Sequence, residues 1–158
     1  MTKKSKNKNK QKDKHNYIYL PPKEEYYHNS KFDLIIKPSN IKNAGKGVFT
    51  LDFIPSNTFI DYYDGIIMNY LSCGSYFLKI CDGYGIDAQT FPRCYMAMIN
   101  DTFGSNYNHN CEFVINKNKN INNDYYNVNE HKYNVEVWSI RDILKDEELY
   151  ISYGDEYW

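Results

Sequence analysis

Three short stretches of this chain carry residue types at spacings suited to chemistry. Gly45-Lys46-Gly47 sets two glycines around a lysine ahead of Val48-Phe49. Paired glycines let a backbone take positive φ or pass close to a ligand, because no side chain stands in the way. Tyr63-Asp64-Gly65 sets an aromatic hydroxyl beside a turn. The last twelve residues, Glu147 to Trp158, open on an acidic pair, alternate through Leu149-Tyr150-Ile151-Ser152, and run through Tyr153-Gly154 to the aromatic Tyr157-Trp158. A fraying tail is polar and poor in aromatics, whereas this one loses by exposure, so it is expected to fold back into the body. Taken singly, these signals are weak. The glycine pair lacks the third glycine, the helix and the acidic partner of a dinucleotide fingerprint, and alone it reads as a hairpin turn. With 17 tyrosines in the chain, any one of them reads as ordinary packing.

The elements that must position these residues fit one domain, since 158 residues with this apolar and aromatic content can fill one core. A formal net charge of −1 announces no nucleic-acid binder. No apolar run approaches the roughly 20 residues of a membrane span, and the Lys-rich start lacks the apolar core of a signal peptide. An intracellular, soluble protein is expected, with a nuclear or cytoplasmic location both open. Cys73, Cys81, Cys94 and Cys111 are widely spread, and His109 and His131 stand at no ligand-like spacing from them, so reduced structural thiols and no metal site are expected.

Residues 1–14, Lys/Asn-rich and without an apolar residue after Met1, are expected to be disordered. Residues 15–31, interrupted by Pro21-Pro22, read as a packed lead-in to a domain over 32–158. Within it, Phe32 to Lys37 reads as a strand. Thr58 to Met68 reads as two strands in a hairpin around Asp64-Gly65. Further strands are expected at Ser75–Ile80, Tyr84–Ala88, Cys111–Ile115 and Asn134–Ile140, with one helical turn or short apolar segment in Cys94–Ile99. The Asn-rich residues 116–132 read as a surface loop between paired strands. Many short strands with almost no helix predict a mainly β domain.

The order of these pieces resembles the SET-domain protein lysine methyltransferases, above all in Val137-Trp138-Ser139-Ile140-Arg141-Asp142-Ile143 followed by Asp146 through Gly154. The resemblance implies small curved, β-clip-like sheets with a C-terminal pseudoknot. It implies S-adenosylmethionine as cofactor and a protein lysine as substrate. Tyr153 and Tyr63 would be the catalytic pair, and Gly45, Lys46, Gly47, Asn100, Asp101, Tyr153 and Trp158 would hold the cofactor. The family's Asn-His motif has two possible matches. Asn108-His109-Asn110-Cys111 fits locally but is followed by Glu112-Phe113, whereas Asn100-Asp101 fits on both flanks and replaces the histidine by Asp101. Asn100 is preferred.

The implied reaction explains the residues. Only a neutral amine is nucleophilic, and deprotonating lysine, with a pKa of about 10.4, costs about 4 to 5 kcal/mol at pH 7. A dry aromatic channel beside a sulfonium disfavours the ammonium by desolvation and like-charge repulsion, so no strong base is required. Ile151, where many relatives carry an aromatic, leaves room for more than one methyl unless other aromatics fill the gap. The chain lacks the cysteine-rich, zinc-binding flanks of many relatives, so Tyr157 and Trp158, or a second subunit in a homodimer, are candidates to close the pocket. In these respects it is similar to compact stand-alone SET proteins of viruses and microbes, whose substrates include histone lysines. The alternative is a non-catalytic SET-like module that grips a peptide or cofactor. Asp101 favours it, and the intact Tyr63 and Tyr153 oppose it. A nucleic-acid binder using the basic start ranks last.

Overall fold

A computed structural model describes residues 23–69, 74–81, 83–117 and 133–154. The Lys/Asn-rich start, the first part of the lead-in, most of the Asn-rich loop, Cys73, and the closing Tyr157 and Trp158 lie outside the described residues.

In chain order the strands are β1 (Tyr26–Tyr27), β2 (Leu34–Pro38), β3 (Lys46–Thr50), β4 (Phe59–Tyr63), β5 (Ile66–Asn69), β6 (Phe77–Cys81) and β7 (Tyr84–Asp87). Then come β8 (Arg93–Cys94), a 3-10 turn η1 (Tyr95–Met98), β9 (Asn100–Asp101), β10 (Cys111–Lys117), β11 (Tyr133–Ser139) and β12 (Tyr150–Ile151). They form small sheets: the antiparallel pair β2-β3, the three-stranded sheets β10-β11-β4 and β5-β7-β6, and the parallel pairs β1-β8 and β12-β9. The expected mainly β architecture is therefore observed, with a single 3-10 turn among the described residues. No helix among them is long and apolar enough to cross a membrane.

Alternation explains which side chains fill the core. On β11 Val135 and Val137 are buried while Glu136 and Trp138 are half-buried, and the Trp138 ring nitrogen donates to Glu136 Oε2 at 2.7 Å. Val48, Ile60, Met96, Ile99, Ile143, Leu149 and Ile151 join them. Each such side chain contributes about 1.5–3 kcal/mol by leaving water. The apolar segment read as a helical turn is η1, and its Met96, Ala97 and Met98 face this core. β10 runs two residues beyond the expected strand, because Asn116 and Lys117 still pair with Asn134 and Tyr133 of β11.

One expectation is corrected. The strands flanking Asp64-Gly65 form, but they are not a hairpin: β4 pairs with β11, and β5 pairs with β7. Asp64-Gly65 is instead a corner between two sheets. Cys94 pins it from outside the local sequence, its Sγ accepting from the Asp64 amide at 3.3 Å and donating to the Asp64 carbonyl at 3.1 Å. A Cβ on Gly65 would stand 2.4 Å from the Asp87 carbonyl oxygen, so the corner is drawn against β7. A local turn signal reports the bend but not the partner of each arm.

The C-terminal segment is interleaved with the rest of the chain, as the resemblance implied. On one side the Leu149 amide donates to Val48 O at 2.8 Å, and Glu148 bridges Phe49. On the other, Tyr150 and Ile151 pair in parallel with Asn100 and Asp101. Asn110, fully buried, clamps this segment through its side chain. Its Nδ2 donates to Glu148 O at 2.8 Å, and its Oδ1 accepts from the Tyr150 amide at 2.7 Å. Asn110→Ala strands both backbone groups in the interior, at about 1–3 kcal/mol each. Urea unfolding of that variant should show a loss of about 3 kcal/mol with an unchanged m-value.

Candidate functional site

The interleaving gathers the separated motifs at one corner. Gly45 and Gly47 are both required there, for different reasons. Gly45 sits at φ +73° with open space around its Cβ position, so the requirement is conformational. A Cβ on Gly47 would lie 2.0 Å from Glu148 Oε1 and 3.2 Å from Asn100 Nδ2, so the requirement is close approach. Lys46 turns its side chain outward, with its ammonium on the Glu24 carboxylate and over the Tyr26 ring. Its carbonyl stays at the corner and accepts from Asn100 Nδ2 at 3.0 Å. The structure thus brings Lys46, Gly47 and Asn100 together, whereas Asn108 lies on the exposed stretch before Asn110.

Glu148 is the centre of this corner and was not singled out by sequence reasoning. Only 1% exposed, it accepts from Ser39 Oγ and Asn100 Nδ2 at Oε1 (2.7 and 3.3 Å). At Oε2 it accepts from the Asn40 amide and the Tyr150 hydroxyl (2.7 and 2.9 Å). Burial, followed by that carboxylate, pushes the Tyr150 hydroxyl well above its ordinary range. The neighbouring Glu147 differs. Burial opposes its charge, but the Arg141 guanidinium and the Leu144 and Asn110 amides outweigh it and hold its carboxyl below the usual range.

Tyr153 stands at the other end of β12. Its hydroxyl donates to Ile99 O at 2.7 Å, and its amide donates to Asp101 Oδ2 at 2.6 Å. Asp101 Oδ1 accepts from the Phe103 amide at 2.7 Å, so Asp101 ties the Tyr153 backbone to the next turn. Gly154 follows at φ +86°, the left-handed turn that a side chain resists. Tyr63, 7% exposed, donates its hydroxyl to Tyr76 O at 2.6 Å and meets the Phe113 ring edge-on at 5.7 Å. Burial first, then the nearby Cys94 and Tyr153 groups, raise its hydroxyl far above the ordinary phenol range. Each hydroxyl has its one proton committed to a carbonyl, so toward a ligand each oxygen acts as an acceptor. That arrangement suits a cationic or polarised methyl or amine group.

These residues fall within a recognisable frame, since the SET domain matches residues 45–154, from the first glycine of the pair to the glycine after Tyr153. The chain belongs to the SET-domain family. No curated protein sequence matches it. Solved structures agree on the SET fold: KRYPTONITE in complex with mCHH DNA, H3(1–15) peptide and SAH superposes with a TM-score of 0.58 at 20% identity. KRYPTONITE in complex with mCHG DNA and SAH gives 0.59 at 19%. Each match covers 79% of this chain and 24% of the other, so this SET protein spans about a quarter of that neighbour's length.

Beside Tyr63 the SET domain holds a cavity of about 340 Å³, lined among others by Tyr27, Asp61, Tyr62, Asp64 and Ile86. Its acids are held in place, Asp64 Oδ2 by the Tyr27 hydroxyl at 2.8 Å and Asp61 Oδ2 by the Asn29 amide at 2.7 Å. Ile151, two positions before Tyr153, is buried within the main core. Sequence reasoning missed Glu148, Asn110, Ser39 and Asn40. The acidic pair reads as a turn, and nothing local marks its second member as buried.

Proposed function

We propose that this SET protein transfers a methyl group from S-adenosylmethionine to the side-chain amine of a protein lysine. The observation that carries the reading is the convergence of Lys46, Gly47, Asn100 and Glu148 at one end of β12 with the doubly held Tyr153 at the other. The residues fit the cofactor: nothing lies within 4 Å of the Gly45 Cβ position, so a ligand can approach there, and a buried acid with no ion pair among the described residues suits a positively charged ligand. Lys46 and Gly47 would contact it through their backbone, and Asn100 would hold its amino-acid or adenine end. The SAH in both KRYPTONITE structures supports the same choice. Bound there, the cofactor supplies an electrophilic methyl group.

The chain's own residues do the rest. Tyr153, its proton committed to Ile99 O, turns an oxygen lone pair to the attack line and fixes the approach of the amine. Tyr63, neutral because it is buried, accepts from the amine and walls the lysine channel. The cavity beside Tyr63 offers aromatic walls for the lysine stem and the Asp61 and Asp64 carboxylates to attract a basic peptide. The H3(1–15) peptide in one KRYPTONITE structure supports a histone lysine as the first substrate to try. Ile151 carries no hydroxyl to hold a water, which favours more than one methyl.

Asp101 is a positioning residue in this scheme. Asp101→Ala frees the Tyr153 amide, and methyl transfer should fall about tenfold in kcat with the KM for the cofactor nearly unchanged. Asp101→Asn, which retains an acceptor oxygen, should recover part of the loss. The function itself is tested by incubating the full chain with labelled S-adenosylmethionine and core histones or a lysate, then assaying methyl-lysine. Label on lysine is the expected result. Cofactor binding without any incorporation would instead favour a non-catalytic module, which the Asp101 replacement already suggests as the second reading.

A further inference from the structure

Glu148 has no assigned part in the reaction as described, yet its setting is unusual. Each of its oxygens faces an N–H that can only donate, the Asn100 amide group at Oε1 and the Asn40 backbone at Oε2. A carboxylate is the form that this donor set fits. Glu147 beside it is paired with Arg141, whereas no ion pair reaches Glu148 among the described residues. A buried acid normally finds a counter-charge. Hydrogen bonds offset part of the desolvation, but in the protein interior its field stays weakly screened. That field emerges at Gly47, whose Cβ position is 2.0 Å from Oε1, and at Asn100.

We propose that Glu148 gives this corner a preference for the cationic methyl donor over its neutral demethylated product. The inference rests on the methyltransferase reading above. S-adenosylmethionine carries a sulfonium and an ammonium against one carboxylate, and is net positive. S-adenosylhomocysteine has lost the sulfonium charge and is net neutral. The buried negative charge therefore adds to the hold on the donor and little to the hold on the product. Glu148 does so from behind the Gly47 backbone and the Asn100 amide, as a positioning residue that tunes the site's charge.

The test is calorimetric titration of the full chain with each ligand separately. A unit charge at about 10 Å and an effective dielectric constant of about 20 is worth about tenfold in affinity. Glu148→Gln should therefore weaken binding of S-adenosylmethionine about tenfold more than binding of S-adenosylhomocysteine. Ser39→Lys is the second variant. It leaves the acid in place and sets a cation against Oε1 from the surface loop, and it should shift the ratio in the same direction if Glu148→Gln fails to fold. Ser39→Ala removes the hydroxyl's bonds to Glu148 and from the Ile41 amide without changing a charge, and should leave the ratio unmoved. Equal losses for both ligands in Glu148→Gln or in Ser39→Lys would mean that Glu148 is only structural, and would overturn the proposal. Wild-type chain that bound neither ligand would overturn the methyltransferase reading and this role together.

Discussion

Tyr153→Phe should lower methyl transfer by about a hundredfold or more while changing cofactor affinity by no more than about twofold. The expectation follows from what the hydroxyl does. Its proton is spent on Ile99 O at 2.7 Å, which fixes the phenol rotor and aims the remaining lone pairs. Phenylalanine keeps the ring, which is partly buried against the core, and the Tyr153 amide bond to Asp101 is a backbone bond that survives. What disappears is the oriented oxygen, whose proposed part is at the reacting atoms. The structural cost is one lost hydrogen bond, about 1 kcal/mol, which thermal unfolding measures separately. Single-turnover methyl transfer together with cofactor titration separates the two effects. A Phe variant of undiminished rate would remove Tyr153 from the chemistry.

Gly47→Ala should damage cofactor binding severely, and Gly45→Ala only mildly. At position 47 the new Cβ would fall 2.0 Å from Glu148 Oε1 and 2.8 Å from its Cδ. A flexible surface glutamate could swing aside. Glu148 is 1% exposed and is held by Ser39, Asn40, Asn100 and Tyr150, so β3 or β12 must move instead. Such overpacking costs about 1–3 kcal/mol before the broken hydrogen bonds are added. Cofactor affinity should drop about a hundredfold or more, because β3 carries the Lys46 carbonyl that holds Asn100, and β12 pairs with β9, on which Asn100 stands. At position 45 nothing lies within 4 Å and the cost is only that of φ +73°, about 1–2 kcal/mol. Cofactor titration of the two variants checks the contrast, and equal effects would contradict it.

The contrast also shows what was legible in the sequence. Both glycines stand out by type, but the pattern cannot say that one answers to dihedral angle and the other to a side chain about a hundred residues further on. The strands were readable because alternation on Val135 and Val137, and the apolar run at Met96 to Ile99, are local signals. The Asp64-Gly65 hairpin was misread because the turn signal is local while strand pairing is not. Cys94 and Asp87, far along the chain, decide that β4 and β5 part company. Tyr63, Asn100, Asp101 and Tyr153 were reachable only through the order of motifs, since each is an ordinary residue type in a Tyr- and Asn-rich chain. Glu148 and Asn110 were not reachable at all. A polar residue in a turn-like or Asn-rich context reads as exposed, and their burial follows from the C-terminal segment passing between β3 and β9.

That interleaving makes one corner out of three distant stretches, the proposed meeting place of cofactor and lysine. The most direct measurement is a crystal structure of the full chain with S-adenosylhomocysteine and a histone H3 peptide. The product is expected against the Lys46-Gly47 backbone and Asn100, with the peptide lysine reaching the Tyr153 oxygen past Tyr63. A product held by Asn108, or a lysine nitrogen remote from Tyr153, would contradict that placement.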